Sequence, residues 1–277
     1  MSDGYIGVQI THHLIVDHAA LDRLNDEIYA LVHNEDAHMI TPTPFRNLVA
    51  MTLFGVSEEQ RRNFFCDMLE DIDEPTLPFG FNNVYLQGIE VNHISSLVSQ
   101  ELNDTLRRLA KLFRMSLATL CHLAFARFLA SLSGQTKVVF GTVLFGRLLD
   151  GEQNESALGL WINTLPLHLD VDATPIEHAV YKTHSRLSEL LTHEHAPLSM
   201  TKQCSNVPAS LPLFSALLNY RYNREMETSF ITGVRFLDSE ERTNYPLLLS
   251  VEDNGNSLGL TTQVISPMSA QRICSYM

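Results

Sequence analysis

Apolar and polar positions alternate at Ile6, Val8 and Ile10, the two-residue period of a half-buried strand. The pattern then switches to Leu21, Leu24, Ile28 and Leu31, which share one face of a helix ending near His33. A polar, proline-bearing stretch, Asn34 to Pro44, leads to a short helix over 45–54. Ser57 and Gln60 have the spacing of a capping box, which satisfies the orphan amide donors of a helix start and predicts a helix from Glu58 to Glu70. Asp71 to Asn83 contains Pro75, Pro78, Gly80 and two asparagines, and reads as a linker. The expected organisation is therefore a first part over 1–83 and a second over 84–277.

The second part opens with a strand from Gly88 to Val98. Leu102, Leu106, Leu109 and Phe113 then fall on one helical face. Ser116 is placed to cap a more buried helix, Leu117 to Leu132, which Ser133-Gly134 ends. Val138 to Leu144 is nearly all apolar and β-branched, as suits a strand covered on both faces. Ile162 to Leu169 is a further strand, in which Pro166 favours an edge or a bend. Thr174-Pro175 starts a helix running to about Thr192, with proline at the tolerated first turn. Leu213 to Tyr222, Phe230 to Leu237 and a hairpin across Asp253 to Asn256 complete the pattern. The class is α/β, a mixed sheet with flanking helices.

Composition narrows the functions. With 45% hydrophobic residues in 277, the chain can bury a sizeable core. Its 32 acidic and 19 basic residues give a net charge of −13, which disfavours nucleic acid and anionic membrane surfaces as partners. Leu117 to Leu132 is interrupted by His122 and Arg127 and is too short to span a bilayer. No basic region followed by an apolar run marks a signal peptide, so a cytoplasmic location is expected. Cys66, Cys121, Cys204 and Cys274 are scattered without a CxxC pair, which predicts reduced thiols rather than a disulfide framework or a zinc site.

Candidate chemistry concentrates at His12-His13-Leu14-Ile15-Val16-Asp17-His18, on a strand-to-helix connection. A histidine there can move a proton near neutral pH, and a nearby carboxylate can hold the loop in register. His193 and His195 suggest a metal site with His12 and His13, but no fixed ligand spacing such as HExxH supports one. No P-loop or dinucleotide fingerprint is present, so no nucleotide is expected.

Val139-Phe140-Gly141-Thr142-Val143-Leu144-Phe145-Gly146-Arg147 resembles the strand and Gly-Arg turn of condensation domains from nonribosomal peptide synthetases. Leu158-Gly159-Leu160-Trp161-Ile162-Asn163-Thr164-Leu165-Pro166-Leu167 resembles that family's Gly-x-Phe-x-Asn-Thr-Leu-Pro element. His193 to Leu198 is similar to its His-x-x-x-Pro segment, and Pro212-Leu213-Phe214, Asn219-Tyr220 and Asn244 to Leu247 fit its later strands. His12-His13-x-x-x-Asp17 matches its signature motif.

The resemblance implies a chloramphenicol acetyltransferase-like fold of two lobes, with the first lobe incomplete. Family members carry well over a hundred residues before the His-His motif, against eleven here. It also implies the activity: an upstream acyl or peptidyl thioester is joined to a downstream aminoacyl amine. Both substrates hang on phosphopantetheine arms of carrier proteins, with no directly bound cofactor and no metal. Upstream and downstream peptidyl carrier proteins and adjacent synthetase domains are the implied partners.

By the same resemblance His13 sits at the reacting centre, as general base or amine-positioning group, and His12 supports the loop. Asp17 is chiefly structural, with Arg147 as its salt-bridge partner. His18, Trp161, Asn163 and Tyr245 border the substrate tunnel. One departure bears on the site: His18 stands where the family usually has glycine, narrowing the backbone approach. With the short N-terminal part, it leaves open a degenerate domain that only docks carriers; the shared His-x-x-x-Asp motif leaves open an O-acyltransferase with another acceptor.

Overall fold

The computed structural model describes residues 6–12, 14–33, 43–84, 91–146, 158–222, 237 and 243–277. Contacts divide the chain into two compact units. The first is Met1–Gly55, Phe145–Ile162 and Ser229–Val234; the second is Val56–Leu144, Asn163–Thr228 and Arg235–Met277.

The first unit carries α1 (His18–His33) and α2 (Arg46–Phe54). Ala20, Ala30, Leu48 and Trp161 are buried in it. The alternation at Ile6, Val8 and Ile10 does not produce a strand: these side chains are 79%, 79% and 89% exposed. A strand exists through ladder bonds to a neighbour, and among the described residues this segment makes none. The predicted apolar face of α1 is likewise only partly covered, with Ile28 and Leu31 exposed.

The second unit begins with α3 (Glu58–Leu69), where Ser57 and Gln60 form the expected capping box. The boundary expected at residue 83 falls elsewhere, because Phe65, Met68, Leu69 and Ile72 belong to the core of this unit. Nor does 71–83 behave as a linker. The Thr76 N–H donates to the Leu213 carbonyl (3.2 Å), the Thr76 carbonyl accepts from Ser215 (3.3 Å), and Thr76 Oγ1 accepts from the Val139 N–H (2.9 Å). Proline-rich spacing signals a turn, but it is silent on whether backbone groups beside it pair with a sheet.

That sheet has six strands: β1 (Val91–Leu97), β2 (Lys137–Leu144), β3 (Asn163–Asp170), β4 (Ala216–Tyr222), β5 (Leu247–Asp253) and β6 (Leu258–Ile265). Their order is β1-β6-β5-β4-β2-β3. β4 runs parallel to both β2 and β5, and the other pairs are antiparallel. Pro166 lies on the edge strand β3, where its missing N–H is tolerated. It faces Gly141 of β2, where a Cβ would run into the side chains of Leu217 and Phe214. Residues 230–236 of the strand expected at Phe230 to Leu237 lie outside the described residues.

Around the sheet lie α4 (Gln100–Phe113), α5 (Leu117–Ser133), α6 (Ile176–Thr192), α7 (Leu198–Lys202) and α8 (Ala270–Tyr276). α5 starts at the Ser116 cap and ends on Gly134 in the left-handed region (φ 71°), as its sequence predicts. Pro175 sits one residue before α6, at the cap position. No single helix among the described residues is long and apolar enough to cross a membrane.

Two buried polar features lock the layers together. Asp253, at the end of β5, accepts from Arg107 (2.6 Å) on α4, from the Tyr220 hydroxyl (2.5 Å) and from the Gly255 N–H (3.0 Å). Burial alone would raise its pKa, but these donors outweigh burial and hold the carboxyl below its usual range. His122, on α5, donates from Nδ1 to the Ala118 carbonyl (2.7 Å) and accepts the Thr142 hydroxyl at Nε2 (2.7 Å). That assignment is the neutral tautomer that uses both contacts.

Burial pushes the His122 pKa down to about 4. The folded chain therefore resists a proton that the unfolded chain accepts below about pH 6.5. Stability is full above that pH and is lost as pH falls toward 4, by about 3 kcal/mol from this one ring. The unfolding free energy of the native chain relative to His122→Leu, from urea titrations at pH 7.5 and 4.5, should fall by about 2–3 kcal/mol at the lower pH. Parallel pH profiles would contradict it.

The cysteines depart from expectation. Cys66 of α3 and Cys204, just beyond α7, are disulfide-bonded, with a Cα–Cα distance of 4.3 Å. A separation of 138 residues hides this pairing from any spacing rule. Cys121 is a free thiol packed against the core, its pKa pushed up to about 12 by burial and then by Asp253.

Candidate functional site

Within the first unit, the His12 carbonyl accepts the Ile15 N–H (3.0 Å), and His12 Nδ1 accepts the Leu14 N–H (3.1 Å). His12 thus shapes the turn that leads to α1. Asp17 then stops the turn and starts the helix. Its Oδ1 accepts the Ala20 N–H (3.0 Å), the bond of an N-cap. Its Oδ2 accepts the backbone N–H of Trp161 (2.9 Å), 144 residues away in sequence. The residue is 1% exposed. One carboxylate therefore ties the motif loop to a distant chain segment while satisfying a helix terminus.

Trp161 backs this junction. It is 2% exposed and packs with Leu48, and Phe45 meets its ring edge-on at 6.3 Å. Gly159 (φ 118°) brings the chain in so closely that a Cβ would lie 2.5 Å from the Phe45 ring. Trp161 thus packs behind the Asp17 carboxylate that its N–H holds. His18 is the first residue of α1 and half-buried. His13 and Arg147 lie outside the described residues.

The second unit holds the other two expected residues. Asn163, at the start of β3, donates its amide to the carbonyls of Glu194 (2.8 Å) and Ala196 (2.8 Å). Its Oδ1 accepts the Thr164 N–H (2.9 Å). The side chain clasps the turn at 193–197. Asn163→Ala should cost about 1–3 kcal/mol through these two carbonyls and speed amide exchange across 193–197. Unchanged exchange would contradict the clasp. Tyr245 stacks on Phe214 at 5.8 Å and is half-buried.

In that turn His193 stacks on Phe64 of α3 (4.3 Å), and His195 Nε2 lies 3.8 Å from the buried Glu194 carboxylate. Burial first, then the Arg61 guanidinium, lowers the pKa of both imidazoles. The approach of His195 to Glu194 is an ion pair only when the imidazole is protonated, which its lowered pKa disfavours. Among the described residues no His, Cys, Asp or Glu cluster is suited to a metal ion.

Sequence reasoning missed the Asp17–Trp161 tie, the Asn163 clasp and the support from Phe45 and Phe64. Only one signal pointed toward the clasp: an amide opening a largely buried strand, which in such a setting must find partners.

The fold and these motif positions agree with one class of protein. The Condensation domain family model matches residues 2–276, and the chain belongs to that family. The malpinin synthetase of Mortierella alpina is 48% identical over 275 residues, which is 99% of this chain and 4% of that protein. A four-domain nonribosomal peptide synthetase, holo-AB3403 bound to AMP and glycine, superposes with a TM-score of 0.75 at 16% identity, covering 96% of this chain and 22% of that one. The condensation domain from the monacolin K polyketide synthase MokA gives 0.73 at 15% identity, over 96% of this chain and 65% of that one. The fold is the mixed sheet with flanking helices of those condensation domains, which is chloramphenicol acetyltransferase-like.

Proposed function

We propose that this chain is the HHxxxD-bearing part of a condensation domain that forms an amide between two carrier-bound substrates. The observation that carries the reading is the buried Asp17 carboxylate, which anchors the motif loop through the Ala20 and Trp161 N–H groups. An anchored loop of this kind suits chemistry in which positioning replaces an entropic barrier.

In this reading the amine nitrogen of the acceptor attacks the donor thioester carbonyl. The carbon–sulfur bond breaks, and the thiol of the donor's phosphopantetheine arm leaves. His13 takes the amine proton or orients the amine by hydrogen bonding. His12 shapes the turn beside it. Arg147 is the salt-bridge partner of Asp17 in this reading. Trp161 and Asn163 hold the elements that flank the substrate path, with His18 and Tyr245 at its border. Peptidyl carrier proteins on either side and neighbouring synthetase domains are the partners, in the cytoplasm.

Acceptor chemistry tests the reaction class. A domain extended to the length of the solved condensation domains should join a donor thioester to an amine-bearing carrier. It should leave the matching hydroxyl-bearing carrier untouched. Ester product from the alcohol with no amide from the amine would replace this reading with an O-acyltransferase.

A further inference from the structure

We propose that Cys66 and Cys204 form a thiol–disulfide switch that staples α3 to the segment 193–206. Their Cα atoms are 4.3 Å apart, near the short end of the separations a disulfide spans. This closeness does not depend on the sulfur bond. The Asn206 N–H donates to the Ile72 carbonyl (3.0 Å), and the Asn206 amide donates to the Glu70 carbonyl (2.6 Å) and to Asp73 (3.1 Å). Arg62 of α3 reaches Gln203 (3.4 Å). The backbone therefore presents the two cysteines to each other in either redox state.

The reduced state is provided for as well. Cys204 Sγ lies 3.6 Å from the Arg62 carbonyl, so a thiol there has an acceptor in place. Breaking the disulfide leaves no buried donor orphaned at Cys204, which is 7% exposed. Two arrangements of the same side chain are thus satisfied, as a reversible device requires. The remaining pair, Cys121 and Cys274, are free thiols.

Closure removes two electrons and two protons from the thiols. A low-molecular-weight disulfide such as oxidised glutathione accepts them through a mixed disulfide and leaves as two thiols. A dithiol reductant reverses the step. The structural consequence follows from what α3 and the segment carry. Phe64, two residues before Cys66, stacks on His193, and the turn that begins there is the one Asn163 clasps. Oxidation fixes both ends of this support and closes a loop of 138 residues, which constrains the unfolded chain.

The test equilibrates the chain in glutathione buffers of graded ratio, blocks free thiols with N-ethylmaleimide and maps the digest by mass. The oxidised form should yield one linked peptide pair, Cys66 with Cys204, with Cys121 and Cys274 labelled. Reduction, or Cys204→Ser, should lower Tm by on the order of 10 °C and speed amide exchange across 193–206. Cys121→Ser should leave the difference between oxidised and reduced Tm unchanged. If Cys204→Ser fails to fold, reduced native chain and Cys66→Ala report the same shift. Full labelling of Cys66 and Cys204 in oxidised glutathione would overturn the proposal. So would a cross-link that moves neither Tm nor exchange.

Discussion

Replacing His13 with alanine in a full-length version of this domain is expected to slow amide formation by ~10²–10⁴-fold, the usual worth of a positioned proton-transfer group. Binding of loaded carrier proteins should be retained, because the role proposed for His13 is at the reacting centre and not at the docking surfaces. The loss should fall on the rate at saturating carrier rather than on carrier affinity, the pattern of an interaction made in the transition state. Single-turnover product mass separates the two quantities. A His13→Ala domain that condenses at the native rate would remove His13 from the chemistry and leave the loop with a structural role.

The second large effect is expected at Asp17. Its carboxylate satisfies two backbone donors in a buried setting, at Ala20 and Trp161. Asp17→Ala removes the helix cap and strands the Trp161 N–H, losses of roughly 0.5–2 and 1–3 kcal/mol in comparable cases. We expect a combined destabilisation of about 2–4 kcal/mol, read as faster amide exchange across residues 14–24 and 158–162. Asp17→Asn keeps one acceptor oxygen and should fall between the native chain and Asp17→Ala. Activity should drop with both variants, because the loop that bears His13 loses its anchor. Native exchange in Asp17→Ala would mean that the two bonds are incidental.

Elements whose signals are local were legible in the sequence. Ser57 with Gln60, Ser116 with Gly134, and the apolar run of β2 each carry start, stop and burial within a few residues, and each formed as expected. Pro166 favoured an edge or a bend because proline lacks a ladder donor, and its strand lies at the sheet edge. Features that depend on distant partners were not legible. The alternation at Ile6 to Ile10 has the right period but no paired neighbour among the described residues. Pro75 and Pro78 marked a linker, yet Thr76 between them bridges to Phe214. The Cys66–Cys204 bond and the parallel placement of β4 between β2 and β5 join segments far apart in the chain.

The site divides the same way. His12, His13 and Asp17 stood out as a motif, because residue type and spacing are local. What Asp17 and Asn163 hold was not, since Trp161 lies 144 residues from one and the 193–197 turn about thirty from the other. Trp161 and Asn163 were expected along a substrate path. The geometry gives them packing and clasping work that residue identity alone does not reveal.

The most direct test of amide formation by this domain is intact-mass analysis of both carrier proteins after one turnover. The donor carrier is loaded with an acyl thioester and the acceptor carrier with an aminoacyl thioester. The account predicts that the acceptor carrier gains the donor's acyl mass while the donor carrier returns to its free thiol. Two carriers that bind the domain yet keep their original masses would contradict it.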